Sequence, residues 1–313
     1  MANGVARDAS PAYASYASDS TSKFIPQLWS NKMLKNFYQT TAFSEIANTD
    51  YEGQIKQQGD KVIIRKTPVI TVSDYLVGDA LTYQVPEVAN TELNINKAKS
   101  WSFRIDDIDA VASDLNLMNA FAADAGERLK IAIDTDCFDY ISTLPAATNK
   151  GATAGAISAN INLGAATAPV SVTAINATDL IVDINSVLDE ANIPSENRWV
   201  VLPAWFVAML KKSDLKAANI TGDSNSVLRS GVVGMIDRTK IIQSNLIKHV
   251  TDTVECFYCM AGTKDALTFA NQLIKTETLQ IPDSFGTYMR GLSVYGRAVV
   301  QPSALVSLYA TKG

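Results

Sequence analysis

Histidine is nearly missing from this sequence: His249 is the one copy in 313 residues. Imidazole is the side chain that titrates near neutral pH without help from its surroundings. Acid–base or triad chemistry built on histidine therefore has one candidate and no evident orienting partner. A surface or structural place is expected for it. Cysteine is scarce as well, with Cys137, Cys256 and Cys259 only. An odd number without framework spacing argues against a disulfide scaffold and points to folding in a reducing compartment. Cys256-Phe257-Tyr258-Cys259 has the spacing of a metal or redox pair. Its flanks read as a strand, however, where positions three apart face opposite sides. Buried thiols in a core strand are expected, with no metal and no cofactor. The glycine signatures of dinucleotide, P-loop and serine-hydrolase sites are missing too, so no catalytic residue is assigned and no enzyme is expected.

Other absences bound the compartment and the partners. No run approaches the ~18 apolar residues of a membrane span. Met1 to Arg7 lacks the apolar stretch of a signal peptide, so a soluble protein made in the cytosol is expected. The net charge is −5, which argues against a protein held to nucleic acid by phosphate contacts. A mildly acidic wall can still enclose DNA, because a surface that repels the polymer does not trap it.

What is present suits a large folded body with extensions. Hydrophobic residues at 47% and charged residues at 19% supply a sizeable core. Residues 1 to 23, rich in Ala, Ser, Tyr and Asp, have neither helical nor strand periodicity and read as an arm that orders on a partner. Phe24, Ile25, Leu28, Trp29, Met33, Leu34, Phe37 and Tyr38 then recur near helical spacing. From Gly59 the chain reads as a long two-stranded arm: Val62 to Arg65, Val69 to Val72, a turn at Gly78-Asp79, Leu81 to Val85 and Thr91 to Asn96. Trp101, Phe103 and Ile105 return it to the core. Such an arm cannot bury itself within its own domain and needs another chain to lie on.

A long helix is expected next, from Asp106-Asp107 to about Leu144. Its apolar stripe runs through Ile108, Val111, Leu115, Met118, Ala122, Ala125, Leu129, Ala132 or Ile133, Tyr140 and Leu144, with Asp134 and Asp136 on the polar face. Residues 145 to 177 read as a weakly specified insert with short strands. Thr178 is expected to cap a helix that Pro194 stops, Trp199 to Leu202 to form a buried strand, and Pro203 to open a helix through Lys212. Lys240 to Ile242 reads as a strand, and residues 254 to 313 as several strands with a short central helix.

The charges on the arm are candidates for contacts between chains: Lys61, Arg65 and Lys66 against Asp74, Asp79, Glu87 and Glu92. Mixed charge of this kind fixes register more than it adds affinity. Trp101, Trp199 and Trp205 are expected in the core, and Trp29, in the arm, as an interface anchor.

The order of these elements resembles the major capsid protein of tailed bacteriophages, with the fold named after phage Hong Kong 97. The stretches that carry the resemblance are Gly59-Asp60-Lys61-Val62, Phe103 to Asp109, Ile193 to Val201, Gly234 to Asn245 and Leu292 to Gly296. The resemblance implies an α+β chain in five parts. They are an N-terminal arm (1–55), an extended-loop hairpin (56–100), a spine helix with peripheral domain (101–176), an apical domain (177–253) and a return to the peripheral domain (254–313). It implies self-assembly into hexamers and pentamers of an icosahedral shell around double-stranded DNA. A precursor shell, a portal protein and, in some members, a decoration protein go with it. Without a long charged helical extension before residue 24, a separate scaffolding protein is expected. The shell of an encapsulin-type nanocompartment is the alternative, separated by protein cargo in place of nucleic acid. An α/β enzyme is a remote one, disfavoured by the missing site motifs.

Overall fold

The computed structural model describes residues 41–50, 61–68, 70–74, 76–78, 80, 83–86, 90–106, 117–213, 234–280 and 286–313. Residues 1–40 of the expected N-terminal arm (1–55), with the helix from Phe24, and the start of the long helix at residues 107–116 lie outside them, whereas residues 42–47 of that arm are packed into the body. In chain order the elements are α1 (Phe43–Ile46), β1 (Lys61–Arg65), β2 (Asn90–Asn94), β3 (Lys97–Asp106), α2 (Leu117–Ile141), β4 (Val170–Val172), α3 (Ala177–Glu190), β5 (Arg198–Leu202), α4 (Ala204–Lys212), β6 (Met235–Ile236), β7 (Thr239–Gln243), β8 (His249–Asp252), β9 (Val254–Thr263), β10 (Leu267–Gln280), β11 (Gly286–Val299) and β12 (Leu305–Lys312).

The body is built on a seven-stranded mixed sheet, ordered β4-β12-β9-β5-β7-β6, with β8 paired to β9. Strand β5, Arg-Trp-Val-Val-Leu, is buried along its whole length. A continuous run of this kind suits a strand covered on both faces. Its parallel partner is β7, and α4 opens the crossover between them directly after Pro203. Helix α3 buries Leu180, Ile181, Ile184, Val187 and Leu188, the spacing of one apolar face. The chain leaves α3 before the expected stop at Pro194. Asn192 adopts a left-handed φ of 56°. Its N–H donates to the Asp189 carbonyl (2.9 Å), and the Ile193 N–H donates to that of Leu188 (3.1 Å), a Schellman closure.

A three-stranded antiparallel sheet, β10-β11-β3, forms the second layer. Trp101 to Ile105 therefore pair with β11 and do not continue the two-stranded arm. The arm is shorter than its sequence suggests. Strand β1 pairs only with β2, from Lys61↔Asn94 to Arg65↔Asn90. No strand is assigned to the described residues 66–86. A two-stranded ribbon alone is marginal in water, which is why the described residues beyond the root hold no ladder.

Two further expectations are corrected. Helix α2 ends at Ile141 and not at Leu144, because Pro145 disfavours helical geometry in the residue before it. Its buried arc, Ile133, Asp134, Cys137, Phe138 and Ile141, lies roughly one residue, ~100°, round from the expected stripe. Asp134, expected outside, is 7% exposed, while Tyr140, expected inside, is 37% exposed. Leu129 is only half-buried. The reason is that α1 covers Phe138 through the Phe43 ring, so the large side chains there outweigh the alanines of the periodic stripe. The segment 145–177 is tightly held and not weakly specified. Asn149, fully buried, donates to the carbonyls of Ser303 (2.6 Å) and Leu305 (2.9 Å). Gly164, at φ 77°, lies so close to Tyr309 that a Cβ would stand 2.2 Å from its carbonyl oxygen.

The last sixty residues carry the expected strands, but these divide between the sheets. β9 and β12 join the seven-stranded sheet, and β10 and β11 join β3. One large apolar cluster, from Ala42 to Ala310, runs through the body.

Candidate assembly surface

The hairpin is anchored at its root and open beyond it. Ile64 and Leu93 pack with Ile95, Ala270 and Ala298 in a small cluster of their own. Gly296 permits this approach, since a Cβ there would meet the Asn94 carbonyl oxygen at 2.7 Å. Lys61 reaches across the pair to Glu92 at 2.8 Å. Further out, the Gln84 side chain accepts from the Thr71 N–H (3.1 Å) and donates to its carbonyl (3.0 Å), holding the two limbs side by side. The apolar side chains there face solvent: Ile70 is 66% exposed, Val72 92%, Leu76 71%, Val77 98%, Tyr83 91% and Val85 89%. Clustered apolar exposure of this degree marks an interaction site.

A second apolar surface lies elsewhere on the same chain. A groove of about 430 Å³ runs between α2 and β3, floored by Trp101, Phe103, Phe121, Ala125 and Leu129. The Trp101 and Phe103 rings stack at 5.5 Å and 10°, and Phe121 meets Phe103 edge-on at 5.8 Å. The Asp124–Arg128 ion pair (2.7 Å) closes one rim. Across β3, Gly291 leaves room for the Trp101 indole, which a Cβ would meet at 2.4 Å. Glu277, held by Arg290 (2.6 Å) and Lys275, borders that side. The Lys275 hydrogen bond, and after it those from Arg290, keep its carboxyl below the usual range.

The sequence-derived candidates fall in three groups. Lys61 and Glu92 satisfy each other within the chain. Arg65 and Asp74 are exposed and Lys66 half-buried. Trp29, Asp79 and Glu87 lie outside the described residues. The six exposed apolar residues beyond the root were passed over for the charges around them. Their signal was available, because an arm unable to bury itself must leave its apolar residues open.

Among the described residues, the remaining candidates for chemistry stand apart from one another. His249 is exposed on β8, its ring 5.8 Å from that of Phe257. Cys137, Cys256 and Cys259 are free and buried, and burial pushes the Cys259 thiol up, away from thiolate reactivity. Among the described residues no group of three His, Cys, Asp or Glu is placed to hold a metal ion, and no helix is long and apolar enough to cross a membrane. The acidic pair on α2 serves packing. Asp134 caps α1. Asp136 accepts from the Tyr295 hydroxyl at 2.7 Å and pairs with Arg297, whose guanidinium lies 4.7 Å from the Tyr140 ring centre.

Residues 96–308 match the family described as phage capsid protein. A comparison with curated proteins finds no match. A solved structure from Mycobacterium phage Che8 is 29% identical, covers 91% of this chain and 97% of its own, and superposes with a TM-score of 0.77. The capsid structure of cyanophage P-SCSP1u is 15% identical, with 93% and 94% covered and a TM-score of 0.70. The capsid of an empty GTA particle is 12% identical, with 96% and 100% covered and a TM-score of 0.68.

Proposed function

The chain belongs to the phage capsid protein family, and we propose that its copies build the icosahedral shell that encloses the double-stranded DNA genome of a tailed bacteriophage. The observation that carries the proposal is the coexistence of a closed body, an open apolar hairpin and an open aromatic groove on one chain. The two open surfaces are different patches. A contact between the hairpin of one copy and the groove of the next is therefore head-to-tail, the kind that closes into rings when the rotation permits.

Magnitudes favour many weak contacts over one strong one. Fully burying each of the six exposed apolar side chains contributes ~1.5–3 kcal/mol, or roughly 9–18 in all. Association costs ~4–15 kcal/mol in lost freedom. The hairpin alone is near balance, so a stable shell draws on further contacts and on the cooperation of pentamers and hexamers. Arg65, Lys66 and Asp74, with Asp79, Glu87 and Trp29, are the proposed register-setting and anchoring residues. A chain of net charge −5 confines DNA without gripping it, so packing is driven from outside the wall.

Sheet membership supports a modified division of the chain. Residues 97–141 and 267–299 form the peripheral part, and 170–263 with 305–312 the apical part. The subunit is made in the bacterial cytoplasm, assembles on a separate scaffolding protein with a portal at one vertex, and ends in the virion. Decoration proteins are optional additions. Negative-stain microscopy of the chain co-expressed with its scaffold tests this reading. Closed shells are expected; a monomer at high concentration, without rings or shells, would overturn it.

A further inference from the structure

We propose that Asp134 is the pin that seats residues 42–48 on helix α2 and so fixes Ala42 and Phe43, the start of this segment, on the body. Residues 41–50 form a short junction that precedes the hairpin root in the chain. The junction is deeply buried, with Ala42 1%, Phe43 2%, Ile46 0% and Ala47 0% exposed. Its helix, α1, has four residues, too few to persist on its own.

Three elements hold it. From α2, Asp134 Oδ2 accepts from the N–H of Ala42 (2.7 Å) and of Phe43 (3.1 Å). These are donors that a helix start cannot satisfy internally. From α2 and β10 together, Phe138 and Phe269 meet the Phe43 ring edge-on at 5.7 and 5.8 Å. From β10, the Leu267 carbonyl accepts from the Asn48 N–H (2.8 Å), and the Phe269 N–H donates to the Asn48 carbonyl (2.9 Å). At the surface Glu45 pairs with Lys240 of β7. The ring contacts are tolerant of sliding and the Asn48 bonds fix the far end. Asp134 alone fixes the near end, at Ala42 and Phe43. It does so from 92 residues away in sequence, and among the described residues it has no cationic partner to serve instead.

The consequence for shells rests on the capsid reading above; the pin itself does not. Hydrogen exchange on the full chain, kept unassembled at low concentration, separates the two. Asp134→Ala is expected to lower protection of the Ala42 and Phe43 amides by about tenfold or more while Val200 and Val201 keep theirs. Asp134→Asn retains an oxygen acceptor and is expected to keep protection at all four. With scaffold present, Asp134→Ala should give irregular particles and Asp134→Asn regular ones. Unchanged protection at Ala42 and Phe43 in Asp134→Ala overturns the pin. So does loss at Val200 in step with the junction, which would make Asp134 an ordinary packing residue. If the unaltered chain forms no shells, the capsid reading fails, and the exchange result still decides the pin.

Discussion

Val200 and Val77 carry the same side chain in opposite circumstances. Val200, in β5 at the middle of the seven-stranded sheet, is 0% exposed, and Val77, beside the hairpin turn, is 98% exposed. The body has completed its core with its own residues. The hairpin has not: its described apolar positions face solvent, which supports the proposal that another molecule completes them. A valine contributes nothing to folding where it is left in water, so the same composition stabilises the fold in one region and the assembly in the other.

The sharpest way to break the comparison is to damage the completed region. Phe206, on α4, is 0% exposed; Phe206→Ala is expected to cost ~3–5 kcal/mol in denaturant melts of the unassembled subunit. A cost below about 1 kcal/mol would mean that the body is looser than its burial implies. Leu93 tests the border between the regions. It is 0% exposed but belongs to the small root cluster, so Leu93→Ala is expected to cost ~2–3 kcal/mol, the lower part of the usual range. A silent change would place the root with the open hairpin.

The smallest effect concerns Asp134. Burial raises its carboxyl above the ordinary range, and the Phe43 and Ala42 N–H groups only partly oppose that rise. A folded-state value above the unfolded one means that the folded protein holds the proton more tightly. Stability from this group is therefore present in acid and falls as pH rises from about 3.8 through the folded value. Asp134→Asn lacks this dependence. Relative to the unaltered chain it should gain stability as pH rises through that window and level off at neutral pH. A difference that instead widened as pH fell would reverse the assignment.

How far the chain could be read in advance follows from the same contrast. Strand β5, helix α4 after Pro203 and the apolar face of α3 announce themselves locally, because each is buried by its own run of residues. Non-local pairings do not. Strand β3 takes Tyr288 and Met289 as partners for Arg104 and Phe103, far along the chain, so the return of Trp101 to Ile105 to the core is legible but the strand they join is not. Asp134 reads as a surface carboxylate because its burial depends on two N–H donors supplied by α1. Among the described residues the hairpin beyond its root lacks the expected ladder, and its need for a partner is proposed from its exposed apolar residues. That need follows from composition, whereas the ladder required neighbours the chain does not supply.

The most direct test of the central claim replaces residues 70–85 with a short Gly-Ser link, leaving Leu93 and Ile95 in place. The account predicts a subunit whose unfolding free energy in denaturant melts stays within about 0.5 kcal/mol of the full chain's, and which forms no regular shells when scaffold is present. Unfolding of the subunit, or regular shells from the shortened chain, would contradict it.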